Sequence, residues 1–415
     1  MRSWVATSVS DLSSTLKFPQ IRLTDSASTQ KKPLTQKDLY RLYVCGITPY
    51  DATHLGHAAT YLSFDLIHRY LVASGSNVNY VQNITDIDEP LLERANRDGV
   101  EWENLASEQI ELFRNDMSAL NVLPPTHYIG AIEAIPLVVE AIENLSDKNS
   151  TYEIDKDVYF SVKHDSNFAN ISHLKDQEMI EIFSQRGGDP TLTGKKDPLD
   201  CLVWMLQRPN EPGWNSSYGF GRPGWHIECT AIALNYLAPD LALETLIDIQ
   251  GGGSDLIFPH HEMCAAQARV ITGKELASHY VHAGMIGLDG EKMSKSKGNL
   301  VFVSSLLASG VDPFSIRWAL MSDHFRKDRM WSQEKLTYAT HEVQRLRDAL
   351  QGEGLAPTEN LVSCILDSLA DDLDTQRIVL EINQWVDRTL NGETGGDKKQ
   401  VLLVLENLLG FSTVK

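Results

Sequence analysis

The chain reads as an α/β protein: a parallel sheet interrupted by an insertion and followed by a helical tail. Three observations predict this. First, the apolar run Leu42-Tyr43-Val44 ends in the turn residues Gly46 and Pro49, and Ala58 to Leu71 then has the apolar spacing of a helix. A second strand follows from Asn79, ending in Asn83-Ile84-Thr85-Asp86-Ile87-Asp88. This strand–helix–strand order implies a parallel pair with a right-handed crossover. Second, the rhythm returns with Gly224-Trp225-His226-Ile227-Glu228-Cys229, a helix through about Leu237 and a strand from Leu246 to Gln250. Third, from about Gln333 the sequence is amphipathic helix separated by polar breaks.

Taken in order, residues 1 to about 40 are a polar lead-in with a short edge strand at Ile21-Arg22-Leu23. Helical spacing recurs from Glu101 to Met117. Between Pro124 and Arg222 the α/β rhythm breaks, with a helix from Ala131 to Leu145, a strand at Val158-Tyr159-Phe160 and the turn-rich Gly187-Gly188-Asp189-Pro190. The expected organisation is therefore the first half of the sheet domain over 1–123, an insertion over 124–222, the second half over 223–300, and a linker and helical bundle over 301–415. In the second half, Gly251-Gly252-Gly253 follows the strand and either permits close backbone contact with a ligand or is only a tight strand-to-helix turn. Phe258-Pro259-His260-His261-Glu262 opens a helix, and His279-Tyr280-Val281-His282 is the last strand. A Gly- and Lys-rich loop runs from Gly290 to Asn299, and there are no internal repeats.

The 415 residues allow two or three domains with a substantial core. A formal net charge of −19 argues against a protein built mainly to grip nucleic acid. No run of 18 apolar residues is present, so no membrane span is expected. The N-terminus lacks a signal-peptide core, which gives a cytoplasmic expectation. Five scattered cysteines make no disulfide framework; in a cytosolic chain they point to thiols or metal ligands.

The chemistry concentrates at the corner Cys45-Gly-Ile-Thr-Pro-Tyr-Asp-Ala-Thr-His-Leu-Gly-His57. A helix N-terminus offers unpaired N–H groups and a positive dipole end, which suit a phosphate. Ligands of parallel sheets bind beyond the C-terminal strand ends, where Cys45 to Thr48 and Asn83 to Thr85 lie together. Cys45 and Cys229, with His260, are a plausible Zn²⁺ donor set, although a cysteine taken singly is more often plain core.

His54-Leu-Gly-His57 and Lys292-Met-Ser-Lys-Ser296 together resemble the paired signature of class I aminoacyl-tRNA synthetases, which implies a Rossmann-like catalytic domain with a connective insertion and a C-terminal bundle. The resemblance gives these residues roles. Attack of a carboxylate on the α-phosphate of ATP expels pyrophosphate and builds charge on phosphate oxygens, a step governed by positioning and electrostatics. His54 and His57 then donate hydrogen bonds to those oxygens, and Lys292 and Lys295 close over the pyrophosphate. With Asn83 to Asp88, Gly224 to Cys229 and Gly251 to Glu262 added, the chain is similar to cysteinyl-tRNA synthetases, whose zinc ligands match Cys45, Cys229 and His260. One Zn²⁺ per chain is implied, and it selects a thiolate over a hydroxyl. Those synthetases carry a further Glu ligand where this chain has Cys264. On a helix His260 and Cys264 share a face, so Cys264 is either a fourth ligand or packing; packing is favoured because a catalytic zinc keeps an open position.

Several departures separate the chain from the synthetases. The corner reads Gly-Ile-Thr-Pro-Tyr rather than Gly-Pro-Thr-Val-Tyr, and only 119 residues follow Ser296. From Leu336 to Lys415 there are 13 acidic against 7 basic residues, a poor surface for tRNA. Trp4, Thr48 to Thr53, Arg186 to Pro190, His282 to Gly287 and Ala370 to Thr375 are similar instead to the paralogous ligases of mycothiol biosynthesis, which join cysteine to the amine of glucosaminyl-inositol. Gln185 departs from that pattern, where a Glu usually stands. This resemblance implies L-cysteine, ATP (with Mg²⁺) and glucosaminyl-inositol as substrates, a monomer, and no nucleic-acid or membrane partner. It also implies that Cys45, Gly46, Ile47, Thr48, Thr60, Asn83, Ile84, Thr85, Trp225, Gly253, Ser254, Asp255 and Ile286 contact the adenylate. Thr85 and Trp225 are expected near the cysteinyl part and Asp255 near the ribose. The rival readings are a short cysteinyl-tRNA synthetase and a non-catalytic cysteine- or ATP-sensing module.

Overall fold

The computed structural model describes residues 1–238, 243–288, 290–293 and 298–413. Its centre is a five-stranded sheet in the order Glu275–Ala283, Thr245–Gly253, Leu39–Val44, Asn77–Ile84, His127–Gly130, with every pairing parallel. Strands covered on both faces read as near-continuous apolar runs, as Leu42-Tyr43-Val44 and Leu246-Ile247 do. The chain leaves Leu39–Val44 toward one neighbour and returns to the sheet on its other side, at Thr245–Gly253. That reversal of strand order opens a crevice at the C-terminal ends of these two strands. The Cys45 N–H donates to the Gly251 carbonyl across it, at 3.0 Å.

The helix Leu55–Ala73 covers one face. His54 caps it, its side chain accepting from the Gly56 N–H, and the chain leaves through Gly75 at φ +90°. The triple glycine is not a turn: all three residues lie inside Thr245–Gly253. A Cβ on Gly251 would meet the Phe64 ring of this helix at 2.2 Å, so the missing side chain lets helix and sheet close together.

Other elements also differ from expectation. The lead-in contains an antiparallel hairpin, Arg22–Asp25 with Gln30–Pro33, turned at Thr29 (φ +56°). Its second strand is polar and mostly exposed, so no apolar alternation announces it. Helix Glu89–Asp98 begins at an Asp88 cap with Pro90 in its first turn and ends at Gly99 in the left-handed region. Strand His127–Gly130, beyond the expected boundary at 124, is an edge of the parallel sheet. His279 to His282 belongs to the last parallel strand, but a small sheet of Glu291–Lys292, Ile286–Leu288 and Arg329–Trp331 follows it. Within 124–222 the chain also forms an antiparallel sheet, Thr151–Ile154, Asp157–Phe160, Cys201–Leu206 and Gly221–Pro223.

The C-terminal helices Gln333–Gln351, Glu359–Ala370, Thr375–Leu390 and Lys398–Leu409 share one hydrophobic cluster with the Leu55–Ala73 helix, extending from Trp4 to Phe411. A buried ionic triad pins this junction. Asp65 meets Arg69 Nε at 2.9 Å and Arg317 Nη2 at 2.7 Å, all three being almost without solvent exposure. Arg317 also donates to the carbonyls of Leu120 and Leu409, and Arg69 to those of Asn121, Glu406 and Asn407.

Candidate active site and metal centre

The corner after Leu39–Val44 must pass very close to the next strand. Gly46 N–H donates to Asn83 Oδ1 at 2.8 Å, and Thr85 N–H to the Ile47 carbonyl at 3.0 Å. A Cβ on Gly46 would lie 1.7 Å from the Asn83 carbonyl oxygen, so only glycine fits. Tyr43 donates to Asn83 Oδ1 at 3.2 Å and Tyr61 to the Cys45 carbonyl at 3.1 Å, fixing the corner from below. We expect Gly46→Ala to part Cys45–Thr48 from Asn83–Thr85 and lower any adenylate-forming activity by about 100-fold, the cost of misplacing reacting groups by an ångström. Steady-state exchange kinetics beside a melting curve would check this; wild-type activity in a normally folded variant contradicts it.

His54 and His57 stack with centroids 3.7 Å apart. His54 Nδ1 accepts from Gly56 N–H at 3.1 Å, so the neutral ring carries its proton on Nε2. Burial, then His54, pushes the His57 pKa well below that of an ordinary histidine, and its Nδ1 is buried without a partner. The pair presents hydrogen-bond donors at a helix N-terminus, which suits phosphate oxygens.

Other expected adenylate contacts gather around the same crevice. Thr60 Oγ1 donates to the Gly56 carbonyl at 3.2 Å, one turn along the helix. A Cβ on Gly253 would meet Asp255 Oδ1 at 2.5 Å and Thr60 Oγ1 at 3.9 Å, bringing these three positions together. Ser254 and Asp255 lie half-buried in the short turn Ser254–Leu256. The Thr48 carbonyl accepts from Tyr50 N–H at 2.9 Å. The Ile47 and Ile84 side chains are buried. Ile286 is also buried, and its carbonyl accepts from Met293 N–H at 3.4 Å. Lys292 pairs through its backbone with Gly287, and its side chain lies outside the described residues, as does Lys295. Gln185 ends helix Asp176–Gln185 and is exposed, while the next residue, Arg186, donates to the Phe258 carbonyl.

Cys45, Cys229 and His260 come from three separate elements, yet their ligand atoms all lie within 4.8 Å of one another in a buried cluster. Two thiols and an imidazole are a soft donor set suited to Zn²⁺. Trp225, half-exposed at the start of helix Trp225–Leu237, stacks on His260 at 4.2 Å and walls the cluster. His260 lies in a wider turn that leads directly into a regular helix. Phe258 is extended (φ −136°), Ile257–His261 forms a wider turn, and the helix proper is Glu262–Thr272. The break in helical geometry is at Phe258, so His260 follows it and runs on through His261 into the helix that carries Cys264. Cys264 stands outside the ligand group among the described residues, its thiol donating to the His226 carbonyl at 3.3 Å.

Three histidines around the cluster were not singled out from sequence. His226 Nδ1 is 2.9 Å from His260 Nδ1; with His260 Nε2 turned to Cys229 at 3.2 Å, a metal-binding His260 donates from Nδ1 to His226. His261 Nε2 lies 3.2 Å from Cys45 Sγ, His261 Nδ1 2.7 Å from His282 Nε2, and His282 Nδ1 2.7 Å from Ser26 Oγ. Burial pushes His282 down to about 3 and His226 and His261 well below the usual range, so all three are neutral. The doubled histidine of Phe-Pro-His-His-Glu was a usable signal for His261. Ser26 and His282 had none, because a remote hairpin and strand bring them here.

Such a crevice defines the class: residues 30–341 match the family of class I (C) tRNA synthetase catalytic domains. In fold the chain is similar to the Mycobacterium tuberculosis methionyl-tRNA synthetase in complex with methionyl-adenylate, with a TM-score of 0.62 at 17% identity, covering 90% of this chain and 88% of that one. Full-length likeness is narrower. The chain is 50% identical over 420 residues to the L-cysteine:1D-myo-inositol 2-amino-2-deoxy-alpha-D-glucopyranoside ligase of Saccharomonospora viridis, covering 99% of both chains. It is 48% identical over 419 residues to the ligase of the same name from Thermomonospora curvata, covering 99% of this chain and all of the relative. The chain belongs to this ligase family.

Proposed function

We infer that the protein activates L-cysteine with ATP and transfers it to the amine of glucosaminyl-inositol. Beyond family membership, the observation that carries the reading is the buried Cys45–Cys229–His260 donor set opening on the corner that also carries His54 and His57. A site for a thiol and a site for a triphosphate share one sheet end.

In the first step a cysteine carboxylate oxygen attacks the α-phosphorus, a P–O bond forms, and the bond to pyrophosphate breaks. In the second, the sugar amine attacks the activated carbonyl carbon; the amide C–N bond forms, AMP leaves with the C–O electron pair, and the amine loses a proton. His54 and His57 donate hydrogen bonds to phosphate oxygens as charge develops. Backbone at Gly46 and Gly253 admits the nucleotide closely, Asp255 accepts from ribose hydroxyls, and Trp225 shields the cysteinyl part from water. Cys45, Cys229 and His260 would hold Zn²⁺, which when bound supplies a soft position that a thiolate fills and a serine hydroxyl does not. Thr85, hydrogen-bonded to Asn83 at 3.3 Å, lies beside this end of the crevice.

Purified protein should catalyse cysteine-dependent ATP–pyrophosphate exchange that serine does not support. Absence of exchange in zinc-loaded protein would instead favour a non-catalytic sensing module.

A further inference from the structure

The stretch Ala370 to Thr375 takes no part in the chemistry above. It forms the turn between helices Glu359–Ala370 and Thr375–Leu390, and two successive residues in it, Asp372 and Leu373, have positive φ, +61° and +53°. Such backbone persists only where the surroundings hold it, and glycine is the ordinary residue there. The Asp372 carboxylate is 3% exposed and joins three parts of the fold. On the hairpin strand Arg22–Asp25, Thr24 N–H donates to Oδ1 at 2.8 Å and the Thr24 hydroxyl to Oδ2 at 2.7 Å. Arg326 Nε donates to the same Oδ2 at 2.8 Å, with His324 Nε2 3.9 Å away. Asp372 N–H donates to the Arg22 carbonyl at 2.9 Å, and Asp371 pairs with Lys31 at 2.6 Å. The turn is thus docked on the hairpin by its backbone, and its side chain reaches on to loop 322–328.

That loop lies against the segment carrying Ile286, which the adenylate reading places on the nucleotide. Gly284 N–H donates to the Phe325 carbonyl at 2.8 Å and Met285 N–H to Asp328 Oδ1 at 2.8 Å. Arg329 N–H donates to the Met285 carbonyl at 3.0 Å, and Ile286 then pairs with Arg329 in parallel register. A Cβ on Gly284 would lie 2.4 Å from the Lys327 carbonyl carbon, so the two backbones touch. Within the loop, Arg329 Nη1 donates to the carbonyls of Phe325 at 2.7 Å and His324 at 3.3 Å, which makes the loop one unit. Two contacts tie that unit to the turn: the charged pair of Arg326 with Asp372, and a longer bond from the Thr375 hydroxyl to the Asp323 carbonyl at 3.3 Å. The charged pair is the stronger of the two.

We propose that Asp372 is a positioning residue for the nucleotide: through Arg326 it holds loop 322–328, and with it the backbone of Gly284 to Ile286, in the place that receives ATP. The C-terminal bundle thereby sets the affinity for ATP. It leaves cysteine, taken at the Cys45–Cys229–His260 end of the crevice, unaffected. The inference rests on the adenylate-forming reading above.

The test compares full-length zinc-loaded wild type, Asp372→Asn, Arg326→Gln and Thr24→Val by cysteine-dependent ATP–pyrophosphate exchange, with ATP binding titrated directly by calorimetry. Asp372→Asn and Arg326→Gln should each raise KM and Kd for ATP about tenfold, within the range by which residues remote from a ligand act on its site. KM for cysteine, kcat and zinc content should stay within about twofold of wild type, the pattern of lost ground-state binding. The double variant should lose no more than the worse single one, because both substitutions remove one contact. Thr24→Val takes only the hairpin hydroxyl from the same carboxylate and should leave KM for ATP unchanged. An unchanged KM for ATP in Arg326→Gln overturns the proposal. So do equal rises in KM for ATP and cysteine, or a rise in Thr24→Val as large as in Arg326→Gln, since either would mark Asp372 as merely structural. Should Asp372→Asn not fold, Arg326→Gln, at the more exposed end of the pair, decides. Absence of exchange in wild type would overturn the functional reading instead, leaving the ATP titrations to judge Asp372.

Discussion

Cys229→Ala is expected to remove bound zinc and cysteine-dependent exchange together, lowering exchange by about a thousandfold or more. The substitution deletes one of three protein ligands from a buried cluster. Burial opposes ionisation of Cys229, but its buried neighbours, among them His260 Nε2 at 3.2 Å, outweigh it and hold this thiol below the ordinary value. Burial pushes Cys45 and Cys264 up. Zinc binds cysteine as thiolate, so losing Cys229 leaves a dication with Cys45 and His260 alone in a dry site. Cys264→Ala makes the informative contrast: its thiol faces the His226 carbonyl, and zinc content should survive. Elemental analysis and exchange kinetics on both variants check the assignment. Full zinc with normal exchange in Cys229→Ala refutes it.

Asp65→Ala is expected to destabilise the protein by about 3–5 kcal/mol, the cost of leaving buried charges unpaired. Burial alone would raise the Asp65 carboxyl; Arg69 and Arg317 together more than offset this and hold it low. Burial in turn lowers Arg317 to about 10. Removing the carboxylate strands two guanidinium groups that also hold the carbonyl ends of the C-terminal helix, at Asn407 and Leu409. The loss should reach from the helix carrying the histidine corner to the C-terminal bundle, because one hydrophobic cluster spans both. Denaturant unfolding measures it; a loss below about 1 kcal/mol would mean the triad is replaceable by solvent.

The parts of this structure legible in the sequence were those with local causes. The strand before Cys45, its helix and the strand to Ile84 are each written in apolar spacing and turn residues, and the observed helix Leu55–Ala73 sits where that spacing put it. That the strand runs through the glycine triplet was not legible because its cause is not local: Gly251 lies within a strand to make room for Phe64, nearly two hundred residues away. Hairpin strand Gln30–Pro33 is polar because it is exposed, so nothing in its pattern marks it. At the site, Cys45, Cys229 and His260 could be nominated by residue type and resemblance, but their convergence within 4.8 Å belongs to the topology. The same holds for Ser26 and His282 beside them. The helix expected to open at Phe258-Pro259-His260-His261-Glu262 does open there, with the break at the extended Phe258.

One measurement bears most directly on the central claim. Zinc-loaded protein is given cysteine, ATP and glucosaminyl-inositol, with bulk tRNA in a parallel reaction, and AMP, amide and charged tRNA are quantified. The account predicts AMP and a cysteinyl amide of the sugar in equal amounts, with no cysteine on tRNA. Cysteine transferred to tRNA while the sugar amine stays unconsumed would contradict it.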